Sequence, residues 1–450
     1  MKKTVLIIVL AIFMMTVSCG SSGNSNSSSS DSTAVTIRLG QSGPSSAGVS
    51  GAVSTSALPT GVTMVRVTVS AEDMVTVIKE VSVAGLSSVT ITLDIPNGPN
   101  RLILVEALDA SGNVMYSGET VVNLNGEPVQ LTISMLPACN LFVEVNGVDE
   151  SDCTDSGNPC GSVTYALTQT SGNMNICVAA GTYTDQVITL KAGVGIVCRG
   201  AGHSSIIVTP FGEVAYTSML GAPDSFIRGC YITGGIDDDG ENITINDCEL
   251  NGGGSSAGIV LSGNSEIKNS HIADYSGEGD NAVTINGGNS TLSNNTIDNN
   301  WDGIVISGGN PNITGNIISS NWSGMSISAG APVISGNTIS GNDWTGIYIS
   351  GTAVPTISGN SVTGNAIGVY VWGGVPVVSG NNVLSCNTSV DLENLTSSVI
   401  DARNNKWDHA SPSVSNYPDG CATGVDVCNT DIVPGSVNVS GSTQTSSPCL

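Results

Sequence analysis

Basic residues are scarce in this sequence, with 12 Lys and Arg against 37 Asp and Glu and a formal net charge of −25. That balance excludes nucleic acid as a partner, because binding there depends on Lys and Arg neutralising phosphates. It also disfavours other polyanions unless metal ions bridge. Charge of either sign is thin at 11% of residues, and aromatic rings make up only 4%. No CxxC motif occurs and no cysteine neighbours a histidine in sequence, which argues against zinc or thiol chemistry. Beyond the first twenty residues no apolar run is long enough to span a bilayer. What is abundant is Gly, at 56 residues, together with Ser, Asn and Thr. That composition suits turns and narrow strands more than helices.

The chain opens MKKTVLIIVLAIFMMTVSCG: two lysines, an apolar run, then small residues before a cysteine. This reads as a secretory signal whose core is too short for a spanning helix. Its ending, TVSC, resembles a bacterial lipobox, which implies lipidation of Cys19, although Thr16 stands where Leu is usual. The other reading is an ordinary cleaved signal whose cysteine goes on to pair. Residues 20–33, rich in Ser, Gly and Asn, follow as a flexible tether. In lipoproteins of this kind Gly20, rather than Asp, implies the outer membrane. The expectation is an extracytoplasmic protein that reaches the membrane through its lipid alone. Outside the cytoplasm disulfides form and persist. Cys153–Cys160 and Cys421–Cys428 each enclose a six-residue gap rich in Gly, Asp or Asn and are expected as local bridges. With Cys19 lipidated, an odd number of the 12 cysteines remains, so at least one thiol is left unpaired within the chain.

Residues 34–136 read as a small β-sandwich. Runs such as VTMVRVTVS (62–70), SVTITL (88–93), RLILVEAL (101–108) and VQLTISM (129–135) alternate apolar and polar residues, the period of half-buried strands. PNGP (96–99), DASGN (109–113) and Asn125-Gly126 separate them as turns. About seven such strands resemble the immunoglobulin-like architecture. The stretch carries no ligand motif and reads as a spacer.

Downstream the chain repeats itself. PNITGNIISSNWSGMSIS (311–328), PVISGNTISGNDWTGIYIS (332–350), PTISGNSVTGNAIGVYVW (355–372) and PVVSGNNV (376–383) align, each with a proline five residues before Asn316, Asn337, Asn360 or Asn381. Upstream the same slot falls on Asn295, Ser270, Cys248 and Cys230, and downstream on Asn405, in steps of 18 to 25 residues. Self-similarity at this period means a solenoid. Short runs such as VIS and GIYIS make its units strands, so the fold is all-β. Stacked coils bring identical slots about 4.8 Å apart. The Asn slot then becomes a ladder whose amides bond up and down the stack and satisfy one another.

The pattern resembles the right-handed parallel β-helix of the pectate-lyase-like superfamily, over residues 140–410. An open β-helix exposes sheet edges at its ends, so the resemblance implies caps. LFVEVNGVDESDCTDSGNPCGSVTYALTQT (141–170) is similar to the start of many secreted β-helix proteins, which implies a short helix near Val163–Thr170 over the first coil. DARNNKWDHASP (401–412) is similar to their closing motif, with Asn405 and Trp407 finishing the last turn; Lys406 and Asp408 depart from the usual Tyr and Gly. The expected organisation is a signal at 1–19, a tether at 20–33 and a sandwich at 34–136. An N-terminal cap at 138–170, the β-helix at 171–410, and a C-terminal cap and tail at 411–450 follow.

The resemblance pulls toward polysaccharide lyases and hydrolases but carries no catalytic residue onto this chain. Such lyases pair calcium-binding Asp with an Arg or Lys beside a carboxylate. Residues 138–450 hold only Lys191, Arg199, Arg228, Lys268, Arg403 and Lys406, unclustered. Polygalacturonase-like signatures do not occur in order, and His203, His271 and His409 are scattered.

Two constellations remain. In the corner after the ladder slot come Asp237-Asp238-Asp239 with Glu241, then Asp274, Glu278 and Asp280, then Asp298 and Asp302, then Asp343. Stacking is expected to set them down one side, roughly 5 Å between neighbours. Asp280 and Asp302 are then the candidates for a glycosidase carboxyl pair. Asp237, Asp239 and Glu241 are the candidates for calcium, and no other cofactor is called for. A solvated acidic edge is the remaining reading of these residues. The second constellation is aromatic, since all 5 tryptophans lie between Trp301 and Trp407. Trp301 and Trp322 follow their ladder Asn by six residues and Trp344 by seven, so the three are expected at one corner. Tyr348 and Tyr370 share an outward slot, with Trp372 nearby. Exposed rings in a row suit the faces of sugars; the other reading is that they fold over glycine corners. The leading expectation is a lipid-anchored, extracytoplasmic β-helix that binds a polysaccharide or another cell-surface component without catalysis. The alternatives are a carbohydrate-active hydrolase or lyase using the acidic corner, and a structural or adhesive stalk.

Overall fold

The structure, a computed structural model, describes residues 32–39, 58 and 61–447, apart from 185–186, 200–202, 209–218, 253–257, 417–424, 430–436 and isolated positions. The expected signal with Cys19 lies outside the described residues, as does Cys421. The chain divides into two compact units, with the boundary between Leu136 and Pro137. Among the described residues no helix is long and apolar enough to cross a membrane.

The first unit is a β-sandwich. Its strands are β1 (Ser32–Leu39), β2 (Met64–Ser70), β3 (Val77–Ser82), β4 (Val89–Pro96), β5 (Gly98–Leu108), β6 (Val114–Leu124) and β7 (Val129–Thr132). One sheet runs β4-β1-β7 and the other β3-β2-β5-β6, with Leu136–Pro137 at its edge. Alternate side chains of a strand face one side. Accordingly Val35 and Ile37 of β1, Val65 and Val67 of β2, and Ile103 and Val105 of β5 share one core. The first strand begins at Ser32, so the expected tether ends two residues early. Thr33 is buried there, its Oγ1 donating to Asn97 Oδ1 at 2.6 Å.

The second unit is the right-handed parallel β-helix. Three parallel sheets run its length, of 13, 12 and 12 strands. Each coil contributes one short strand to each sheet, as in Asn312–Thr314, Ile317–Ser319 and Ser323–Ile327. Identical slots stack: Ile245, Ile267, Leu292, Ile313, Ile334 and Ile357 pair one on the next in the first sheet, all 0% exposed. Full burial of such a side chain stabilises by about 1.5–3 kcal/mol. The regular spacing of one aliphatic residue per strand therefore builds a continuous core.

A short helix packs at the N-terminal end of the stack. The helix Val163–Gln169 starts at Ser162, whose side chain accepts from Tyr165 N, and it buries Val163, Ala166 and Leu167. The Cys153–Cys160 disulfide forms in the preceding loop, and Cys139–Cys177 and Cys198–Cys230 add two more bridges. Cys386 and Cys428 are disulfide-bonded as well. At the other end Trp407 is fully buried, its Nε1 donating to Ser442 Oγ at 2.9 Å. The solenoid does not stop at 410: Val425–Asn429, Val437–Asn438 and Thr443–Gln444 continue the three sheets. The stretch expected as cap and tail thus adds strands of its own.

The first ladder occupies the corner between the first and second sheets. Asn295, Asn316, Asn337, Asn360 and Asn405 are buried in it as expected. Asn381 is not in it. Each ladder residue follows one in the left-handed conformation: Asn294 (φ 55), Gly315 (φ 68), Gly336 (φ 66), Gly359 (φ 65) and Asn404 (φ 58). In the coil that reads Gly380-Asn381-Asn382, Asn381 itself takes the left-handed position at φ 65 and is exposed. Asn382, 0% exposed, turns inward and accepts from Asn360 N at 3.0 Å.

Candidate functional site

A second amide ladder positions the site. At the corner between the second and third sheets, Asn300, Asn321, Asn342, Asn365 and Asn387 are buried. The first four each donate both the backbone N–H and Nδ2 to the Oδ1 of the next, at 2.8–3.1 Å. Tyr275 starts the row by donating its N–H to Asn300 Oδ1 at 3.0 Å, and Asp391 ends it by accepting Asn387 Nδ2 at 2.7 Å. The signal for this row is present in the sequence, as SSN (319–321), SGN (340–342) and TGN (363–365).

Residues just past this ladder carry the rings. Trp301 and Trp322 follow their ladder Asn directly, and Trp344 follows after one exposed residue, Asp343. Trp344 N donates to Trp322 O at 2.8 Å, so the backbone beneath the rings stays in register. Trp301 and Trp322 stack with centroids 5.3 Å apart and planes 16° from parallel. The strip continues through Trp322–Trp344 at 6.4 Å, Trp344–Tyr348 at 5.4 Å, Tyr348–Tyr370 at 5.6 Å and Tyr370–Trp372 at 6.3 Å. All six aromatic candidates therefore form one row. Trp322 is 42% exposed and Trp372 59%.

Beside the strip lies a cleft of about 300 Å³, lined by Trp301, Asp302, Val305, Trp322, Ser323, Ser326, Trp344 and Tyr348 and by Ile327, Ser328 and Ser350. Asp302 is the one carboxylate among these residues. Burial pushes its carboxyl up, and the hydroxyls of Ser323 and Ser326 pull the other way. Ser326 Oγ donates to Asp302 Oδ1 at 3.3 Å, whereas Ser323 Oγ is buried and closes no hydrogen bond of ordinary geometry.

The carboxylates expected down one side do not line up. Asp298 lies in the second sheet, its Oδ1 2.9 Å from His271 Nε2, while Asp302 lies in the third. Asp280 folds back against Gly277 of its own turn and does not line the cleft. Asp280 does neighbour Asp302 along the backbone, Asp302 N donating to Asp280 O at 3.2 Å, but of the two only Asp302 lines the cleft. Asp237, Asp239 and Glu241 do not converge either. Asp237 Oδ1 accepts Asp239 N at 2.8 Å, and the buried member of the run is Asp238, held by Ser262 N, Gly263 N and Ser265 Oγ at 2.8–2.9 Å. Asp237 and Asp302 lie on strands of the same third sheet but at different register positions, Asp237 pairing with Val260 and Asp302 with Asn281. Among the described residues, Asp391, Asp408 and Asp426 are the one group of three whose ligand atoms lie within 4.8 Å of one another.

None of the curated proteins matches the chain. Among solved structures, the A-module of mannuronan C-5 epimerase AlgE4 from Azotobacter vinelandii is similar at 16% identity, covering 63% of this chain and 92% of its own, with a TM-score of 0.47. The catalytic unit of a thermostable GH87 α-1,3-glucanase from Streptomyces thermodiastaticus is similar at 11% identity, covering 87% and 89%, with a TM-score of 0.43. The stretch that holds the ring strip and most of both ladders, residues 234–388, matches the family model described as a right handed beta helix region.

Proposed function

We propose that this protein binds a neutral glycan along the ring strip without catalysing its cleavage. It does so outside the cytoplasm, held by lipid at Cys19. The row of six rings beside the cleft carries this reading. Sugars present flat C–H faces that stack on aromatic faces, and rings spaced along a line fit successive units of a chain. Ser326, Ser328, Ser350 and Asp302 supply polar groups at the edge for hydroxyls. Among the described residues no Lys or Arg lines the cleft, which favours a neutral ligand over an acidic one. Glycoside hydrolysis uses two carboxyls, and the cleft offers Asp302 alone, which favours binding over catalysis. The extracytoplasmic placement is supported by the signal-like first twenty residues and by disulfides of the kind that persist in oxidising compartments.

The test applies the purified protein to an array of neutral and acidic glycans and measures reducing-sugar release on the same preparation. Retention on a neutral glycan with no release is expected. Release of sugar replaces the binder with an enzyme. Neither retention nor release leaves the stalk.

A further inference from the structure

Three buried carboxylates meet at the C-terminal end of the β-helix. Asp391 lies in Val390–Asn394 and Asp426 in the neighbouring strand Val425–Asn429, both of the third sheet, while Asp408 follows Lys406–Trp407 of the second. They are 3%, 0% and 8% exposed respectively, and one oxygen from each lies within 4.8 Å of the others. Donors hold each carboxylate in place. Asp391 Oδ1 accepts from Asn387 Nδ2 at 2.7 Å and Asn387 N at 3.3 Å. Asp408 Oδ2 accepts from Cys386 N at 2.9 Å. Asp426 Oδ2 accepts from Ser413 N at 2.6 Å and Ser413 Oγ at 2.7 Å, and lies 2.8 Å from His409 Nδ1. Asp426 Oδ1, by contrast, is buried without any hydrogen-bond partner. An orphaned carboxylate oxygen out of water is costly unless something positive meets it.

We propose that Asp391, Asp408 and Asp426 hold a calcium ion. Carboxylate oxygens are hard ligands that suit hard cations. Calcium takes oxygens at about 2.3–2.6 Å, so three carboxylate oxygens all within 4.8 Å of one another can share one ion. Magnesium, at about 2.0–2.1 Å, draws its ligands closer and demands octahedral geometry. The ion sits where the second amide ladder ends, at Asp391, and joins that coil to Asp408 and Asp426 of the next. It ties that coil to its neighbour near the C-terminal end of the stack, where Val414–Asn416, Val437–Asn438 and Thr443–Gln444 lie outermost in the three sheets. This site is distinct from the ring strip and does not depend on what the strip binds.

The experiment strips the full-length protein with EDTA, then titrates it with calcium chloride at neutral pH by calorimetry, with thermal melting alongside. One saturable site is expected, with a melting temperature that climbs with calcium concentration, as binding to the native state requires. Terbium is expected to bind in calcium's place and to luminesce when Trp407, next in the chain to Asp408, is excited. The Asp391→Asn/Asp408→Asn double variant is expected to lose the calcium heat and the shift. Asp237→Asn/Asp239→Asn is expected to keep both. If the first double variant fails to fold, the wild-type titration and terbium signal decide. Absence of calcium heat and of any calcium-dependent shift in the wild type would show that a shared proton relieves the cluster instead, and overturns the proposal. So does a calcium response that survives the Asp391/Asp408 substitution.

Discussion

Asn337 gives both its backbone N–H and its Nδ2 to a single oxygen, Asn360 Oδ1, at 2.9 and 3.0 Å. Its own Oδ1 receives the same pair from Asn316, each at 2.9 Å. Asn337→Leu therefore leaves the backbone N–H of Asn316 without its acceptor and Ile313 O without the Asn337 amide, at a site 1% exposed, while Asn316 Nδ2 keeps Leu292 O and Thr314 O. Buried unsatisfied groups cost about 1–3 kcal/mol each, so a loss of about 3–5 kcal/mol is expected. The adjacent residues Asn381 and Asn382 supply the control. Asn382→Leu is expected to destabilise comparably, and Asn381→Leu far less, because its side chain is outside. Chemical denaturation of the three variants checks this; equal midpoints for Asn381→Leu and Asn382→Leu would disprove the register.

The left-handed residue before each ladder position makes a separate prediction. A Cβ added at Gly336 meets nothing nearer than 4.0 Å, so space is not the constraint and its φ of 66 is. A β-branched side chain is strained there, whereas Asn294 and Asn404 adopt that conformation in the same turn of other coils. Gly336→Val is expected to lower stability by about 1–3 kcal/mol and Gly336→Asn to change it little. A Val variant as stable as the Asn variant would show that the turn relaxes freely.

These turns also explain how much of the molecule is legible in the sequence. The first ladder shows because four coils repeat a proline, an aliphatic residue and an Asn at one offset. The second ladder is disguised: its left-handed position is filled by Asn299, Ser320, Gly341, Gly364 and Cys386, four residue types in five coils. The rings are legible as a group because they sit in the regular coils. The acidic residues are not, because Asp237, Asp280 and Asp302 belong to coils of unequal length, and a shift of one residue in a strand turns a side chain to the opposite face. The Asp391 cluster is the least legible, since Asp426 lies beyond the last repeat in sequence that resembles none of the earlier coils.

The ring strip predicts a division of effects. Trp322 is 42% exposed, so replacing Trp322 and Trp344 with Ala removes stacking surface while leaving the ladders and aliphatic stacks intact. Glycan retention is expected to fall by at least tenfold, with a modest drop in melting temperature. Affinity electrophoresis in the retained glycan measures the first and a thermal melt the second. Unchanged retention in a folded double variant would remove the strip from recognition.

Cys248 takes an upstream slot of the first ladder, its N–H donating to Ser270 Oγ at 3.2 Å. It is the free cysteine among the described residues, and burial pushes its thiol up to about 12. Only the thiolate reacts readily, so native protein is expected to leave Cys248 unalkylated by iodoacetamide at neutral pH. The same peptide is expected to be fully alkylated in guanidinium. Peptide mapping reads both, and rapid labelling without denaturant would mean that this coil opens.

Asp302 predicts a pH-dependent stability. Burial pushes its carboxyl above the usual carboxylate range in the folded protein. Between the unfolded and folded values the native state holds a proton that the unfolded chain has released, so stability falls as pH rises through that window. Below the unfolded value the cost is absent; above the folded value it is fully present. Asp302→Asn removes the buried charge while keeping an acceptor for Ser326. The variant is therefore expected to melt above the wild type at neutral pH, with the gap closing as the pH drops below the ordinary carboxylate range. Melting curves of both proteins across acid to neutral pH measure it. A gap that stays constant with pH would show that Asp302 carries no burial cost, and a wild type more stable at neutral pH would mean that its charge is held by a partner.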